Sequence, residues 1–246
     1  MVALSPTGLT HLRQQGSAKV ILPRVGLVPE VVFLNTSGGL TGGDQLSYET
    51  RLDASVRAVA TTQTAERAYR HGAGVARVTV THQVGVGGWL DWLPHETILF
   101  DDCAVERTTV VELGAGAGCL LLEAVVLGRA AMGETLGKVR FSDWREVRQA
   151  GRLRLVEPLA MTDMALGSGV AGLSGCRAFA SIALVAQGAE DALGPVRSVL
   201  TDGAASAFDG KLMVRIMAAD GWPLRQQIAA VLAVLRRAAL PRVWQI

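Results

Sequence analysis

The sequence predicts a mainly β fold: a single β-rich domain over residues 1–246, with two α-helices toward the C-terminus. Three observations carry this reading. Apolar and β-branched runs with strand patterning recur through the first 185 residues, glycine clusters separate them, and helical spacing is confined mostly to the last quarter. Strands do not alternate with helical patterns, which disfavours a Rossmann-type sheet. A chain of 246 residues buries roughly 70–75% of its unfolded-state surface, so its core needs no covalent staples.

Taken in order, "EVVFLN" (30–35) is a dense apolar run, and the glycine cluster "SGGLTGGD" (37–44) joins it to "QLSYETRL" (45–52). In "ARVTVTHQVGV" (76–86), Val78, Val80, Val84 and Val86 share one face, while Arg77, Thr79, Thr81 and Gln83 share the other, the alternation of a half-buried strand. "AVERTTVVEL" (104–113) and "GRLRLVEPL" (151–159) repeat it, the latter with Arg152 and Arg154 facing away from Leu153 and Leu155. "CLLLEAVVLG" (119–128) and "FASIALVA" (179–186) are dense enough to be buried on both faces. "EDALGPVRSVLTDG" (190–203) is a weak helix candidate broken by Gly194 and Pro195. In "WPLRQQIAAVLAVLRRAALP" (222–241), Pro223 suits a first helical turn and Leu224, Ile228, Val231, Leu232 and Leu235 recur at helical spacing, with Pro241 as the stop.

Composition narrows the function classes. The 24 basic and 22 acidic residues leave a formal charge of +2 spread along the chain, with no footprint for nucleic acid. Only Lys19, Lys138 and Lys211 among the basic residues are lysines. The arginines fit interfaces, where the planar fork pairs with carboxylates, or a compositional bias. Cys103, Cys119 and Cys176 are odd in number and lack Cys-x-x-Cys spacing, which points to a reducing, cytoplasmic compartment. The N-terminus has no signal-peptide pattern and no run of about 18 apolar residues occurs, so no membrane partner is expected.

The glycine cluster is not a phosphate loop, because Asp44 and Gln45 follow where Lys and Ser or Thr would have to reach phosphates. Nor is it a tandem calcium roll, since the motif stands alone. A turn between two strands is the simplest reading. His11, His71, His82 and His95 make no metal-binding spacing; His82 reads as a packed core residue, and His71 and His95, near turns, are possible ligands. Cys103 lies beside Asp101 and Asp102, which would raise its pKa rather than activate it. No nucleophile elbow is present, and nothing local supports an enzyme.

Carboxylates are the more informative polar groups. Asp44, Glu66, Glu96, Asp101, Glu123, Glu134 and Glu157 each stand in or beside an apolar or glycine-rich stretch. Glu123 interrupts a hydrophobic strand, where an ionised carboxylate must be paired, hydrated or neutralised. One outcome is a salt bridge to an arginine, with Arg129 nearby in sequence; another is a carboxylate-lined water path or a transient divalent-ion site. A carboxylate pair also admits a β-rich carbohydrate-active hydrolase as an alternative.

Five ordered blocks, "LNTSGGLTGGDQL", "TTQTAERAYR", "WLPHETILF", "VLGRAAMGE" and "LPRVW", resemble the UreD (UreH) family of urease accessory proteins, and they span residues 34–244. The resemblance implies a β-rich fold with helix-like winding of strands and two helices. It implies a non-enzymatic chaperone that binds urease apoprotein and UreF, with the GTPase UreG recruited through UreF. No tightly bound cofactor is implied, only transient nickel(II) on an internal path. The positions matching that path are Asp44, Glu66, Glu123 and Glu157. The block "LPHETILF" departs from the family in having His95 where glutamine is usual, and "AERAYR" in having Arg67 and Ala68. The C-terminal Arg236, Arg237, Arg242 and Trp244 read as an exposed partner-binding group, of the types favoured at interface hot spots.

Overall fold

The computed structural model describes residues 1–24, 26–169, 172–236 and 238–245. The N-terminal hairpin is β1 (Val2–Ser5) and β2 (Gly8–Leu12), followed by β3 (Ala18–Ile21). The chain then winds through β4 (Glu30–Asn35), β5 (Gln45–Leu52), β6 (Arg57–Thr62), the short β7 (Glu66–Ala68), β8 (Ala76–Val84) and β9 (Trp89–Leu93). The short β10 (Thr97–Leu99) leads to β11 (Cys103–Leu113), β12 (Gly118–Leu127) and β13 (Val139–Gln149). Strand β14 (Arg152–Thr162) reverses direction, a four-residue helix α1 (Asp163–Leu166) follows, and β15 (Ala178–Val185) leads to α2 (Leu193–Val199). The hairpin of β16 (Gly203–Phe208) and β17 (Lys211–Ala218) precedes α3 (Gly221–Leu235).

Successive strands of the winding alternate between two sheets. One has the order β14-β13-β11-β8-β5-β1-β2; the other runs β16-β17-β15-β12-β9-β6-β4-β3, with β7 and β10 attached. Within each, the wound strands are parallel, as in β5–β8–β11–β13 and β4–β6–β9–β12. This is the helix-like winding the resemblance implies, and the fold is mainly β. The sheet of β12 is covered twice. Its inner face packs Leu90, Trp92, Cys119, Leu121 and Val125 against the first sheet, and its outer face packs Leu122, Val126 and Ile182 against Leu224, Ile228, Val231 and Leu232 of α3. That double burial is why all ten residues of β12 are buried.

Most predicted elements fall where the periodicity puts them. β8 alternates buried and outward positions, His82 belongs to the buried phase, and Val86, past the strand end, is exposed. Asp220 caps α3 by accepting its Gly221 N–H at 2.7 Å, with Pro223 in the first turn as expected. The weak helix candidate folds as the short α2, beginning beside Gly194 and Pro195. In β14 the expected alternation of Leu153 with Arg152 and Arg154 fails. A bulge pairs Arg148 with Leu153 but Val147 with Leu155, which leaves Leu153 outside. Leu155, Glu157 and Met161 then face inward.

The glycine cluster is a turn, as expected. Leu40 donates its N–H to the Arg67 carbonyl at 2.7 Å and accepts from Tyr69 N–H at 2.8 Å, stitching the turn to β7. A Cβ on Gly42 would run into the Ala73 carbonyl oxygen, so a side chain there is excluded by close approach of backbone. Asp44 closes the turn by accepting the Thr41 N–H at 2.8 Å.

Candidate functional site: a line of paired charges between the sheets

The inward faces of the first sheet carry an unusual row. Register aligns Leu46, Val78, Arg107, Asp143 and Leu159 across it, and beside them Tyr48, Val80, Thr109, Arg145 and Glu157. Across the gap, the second sheet aligns Glu123, Ser181 and Arg215 on β12, β15 and β17. The strand phase that should be apolar therefore holds a polar seam on both walls.

Arg107 is the hinge of the seam. Its Nε and Nη2 bond the two Asp143 oxygens at 3.1 and 2.9 Å, and Nη1 donates to Thr97 Oγ1 at 3.0 Å. Nη2 also stands 2.7 Å from Glu123 Oε2, though without an aligned N–H. Burial alone would lower the pKa of Arg107; Asp143 and Glu123 outweigh it and hold the proton. Glu123 thus shares one guanidinium with a second carboxylate, and its other partner is Trp92 Nε1 at 3.3 Å. Burial pushes its pKa up, Arg107 opposes, and Asp143 adds to the rise. Arg129, the neighbour in sequence, instead pairs with Glu134 at 2.8 Å.

Glu157 is held differently. It accepts from Arg145, from Arg215 Nη2 at 2.9 Å and from Ser181 Oγ at 2.6 Å. Burial works to raise its pKa, but Arg145, Ser181 and Arg215 together take it below the usual carboxylate range.

Cavities follow the seam. A space of about 330 Å³ is walled by Glu123, Asp143, Arg145, Glu157 and Arg215 with Leu159, Met161 and Phe179. A smaller one of about 40 Å³ is walled by Glu66, His95, Thr97, Arg107 and Glu123 with Tyr48 and Trp92. A third, also about 40 Å³, shares Tyr48, Thr62 and Glu66 with it and is walled by Asn35, Gly38 and Thr64. Glu66 is shared by two of these spaces and Glu123 by two, so they form a series. Burial raises the Glu66 pKa, and Asn35 Nδ2, 3.4 Å from both carboxylate oxygens, only partly offsets it.

Of the four carboxylates singled out in the sequence, Glu66, Glu123 and Glu157 are brought onto one line. Asp44 is not among the lining residues; it serves its own turn. Asp143, Arg107, Arg145 and Arg215 were missed. A signal for two of them existed, since Asp143 and Arg145 continue the phase of Val139, Phe141 and Val147 in "VRFSDWREV".

The C-terminal group needs correction. Arg236 is not exposed: its Nε donates to Asp91 Oδ2 at 2.7 Å, with the arginine side chain 3% accessible. Trp244 is buried too. It donates Nε1 to the Leu93 carbonyl at 3.1 Å, stacks on His95 at 4.8 Å between centroids, and lies under the Arg225 guanidinium. Both serve to tie the tail to the outer face of the second sheet. Arg242 is exposed, and Arg237 lies outside the described residues.

The remaining candidates are structural. His82 is fully buried against Trp92, and burial depresses its pKa to about 3. His71 Nε2 stands 3.7 Å from Asp102. Burial first, and Asp101 and Asp102 after it, push the Cys103 thiol up to about 12. Among the described residues no group of three His, Cys, Asp or Glu side chains is placed to hold a metal ion, and no helix is long and apolar enough to cross a membrane.

The sequence model described as UreD urease accessory protein matches residues 3–245. A urease accessory protein UreD from Cereibacter sphaeroides is 64% identical over 98% of this chain and 90% of its own length. One from Paracoccus denitrificans is 52% identical over 100% of this chain and 90% of its own, and one from Rhizobium etli 43% over 98% and 90%. The chain is therefore a urease accessory protein, of a chaperone-type class without catalytic activity of its own. Within that class, the chain belongs to the UreD family. Membership of that family removes the hydrolase alternative.

Proposed function

We propose that this protein, in the cytoplasm, binds urease apoprotein and UreF, engages UreG through UreF, and passes nickel(II) along the inter-sheet seam toward the urease active site. Nickel is cargo, held transiently, and no resident cofactor is required. One observation carries the reading: three carboxylates remote in sequence, Glu66, Glu123 and Glu157, line a series of adjoining cavities. Oxygen ligands and water hold a first-row divalent ion more loosely than thiolates or clustered imidazoles would, which suits an ion that must leave again. Arg107 and Arg145 occupy the seam as fixed cations, so an arriving ion competes with them for the same carboxylates.

Among the described members of the C-terminal group, exposed Arg242 is the one available to UreF, whereas Arg236 and Trp244 support the surface from inside. Co-expression with UreF, UreG and apo-urease tests the reading. A complex that forms and yields active urease is expected; failure to co-purify with UreF under conditions where the chain is folded overturns the scaffold role.

A further inference from the structure

We propose that His95 supplies an imidazole ligand to a divalent cation in the small cavity between Glu66 and Glu123, making one nitrogen-bearing stop on an otherwise oxygen-lined path. The inference rests on the nickel-transfer reading above and adds a ligand to it. His95 is 5% exposed and lines the cavity of about 40 Å³ together with Glu66, Arg107 and Glu123. Among the described residues its Nε2 has no hydrogen-bond partner. Buried polar atoms in folded proteins are nearly always paired, so an orphan on a cavity wall calls for something to occupy the space.

The ring is held as a ligand should be. Its backbone N–H donates to Thr62 Oγ1 at 2.9 Å, and its face stacks on Trp244 with 12° between planes. Nε2, buried and unpartnered among the described residues, is the ring nitrogen placed to offer a lone pair to an ion. Glu66 is nearby across the β7–β10 pair, where its N–H donates to the Glu96 carbonyl at 3.0 Å. A space of about 40 Å³ admits an ion with a water molecule, each water taking about 30 Å³ in the liquid. With two protein ligands and no cage of three among the described residues, the stop binds and releases.

The chain has four histidines, so their ring nitrogens are resolvable by long-range proton–nitrogen correlation spectroscopy on the full chain labelled with ¹⁵N-histidine. Before metal, His95 should show an unprotonated Nε2. One equivalent of nickel(II) should broaden the His95 signals before those of core His82, and His95→Gln should weaken nickel binding about tenfold or more while the His82 signals stay in place as the report of an intact fold. Unperturbed His95 signals in a wild-type chain that binds nickel overturn this inference and leave the transfer reading standing. Absence of any nickel binding by the wild-type chain, alone and with UreF, overturns both.

Discussion

Glu123 and Glu157 are the same residue type, buried to the same degree, against the same cavity, yet their pKa values move in opposite directions. Glu157 has two guanidinium groups and a hydroxyl to itself; Glu123 shares Arg107 with Asp143 and adds only the indole N–H of Trp92. Strand phase decides that both are inside. The count of donors decides that one is a fixed ion pair and the other a carboxylate with spare affinity for a cation, whether proton or metal.

The largest effect that tests this contrast is on stability. Glu157→Leu leaves Arg145, 2% exposed, without its carboxylate and should cost about 3–5 kcal/mol. Glu123→Leu leaves Arg107 bidentate on Asp143 and should cost under about 2 kcal/mol. Urea denaturation of both reads the difference, and equal costs would break the comparison. Arg236→Ala takes the cation from buried Asp91 on the outer face of the second sheet, leaving it the Trp89 indole N–H, and should lose about 3 kcal/mol. It therefore weakens partner binding through folding, whereas exposed Arg242→Glu tests the surface itself.

A smaller, pH-dependent effect distinguishes the two carboxylates further. The folded-state pKa of Glu123 is raised, so its contribution is fully present below the unfolded carboxylate pKa and is lost as pH rises through the folded value. Glu123→Gln does not titrate, so its stability relative to wild type should improve with rising pH. For Glu157, whose pKa is depressed, stability is present above the unfolded value and lost as pH falls through the folded one, so Glu157→Gln should lose its disadvantage in acid. Denaturation midpoints from about pH 2, below the unfolded carboxylate value, to about pH 8, well above it, show whether the two trends oppose. Smallest is Asp44→Ala, which removes one turn hydrogen bond and should cost about 1 kcal/mol without touching nickel transfer.

Much of this was legible in the sequence. The β8 alternation, the doubly buried β12 and the apolar stripe of α3 follow from periodicity, because each reflects burial of a local surface. Glu66, Glu123 and Glu157 stood among seven carboxylates set in apolar or glycine-rich stretches, and the family resemblance, not that pattern, singled them out together with Asp44. Their partners were not legible, because they come from neighbouring or facing strands rather than from adjacent sequence: Glu123 meets Arg107 of the facing sheet, not Arg129, and Glu157 meets Arg145 on the next strand of its own sheet and Arg215 across the gap. Trp244 was misread as exposed since a tail beyond Pro241 has no period, and its contacts with Leu93 and His95 lie far back in the chain. The hairpin of β16 and β17 gave little signal because the first of these strands is mostly alanine and glycine with a partly exposed pattern.

The most direct measurement is urease activation by Glu123→Leu in the co-expressed system with UreF and UreG. The account predicts an intact, folded complex that delivers less nickel and yields less active urease. Full activation by a complex carrying that variant would contradict the seam as the nickel path.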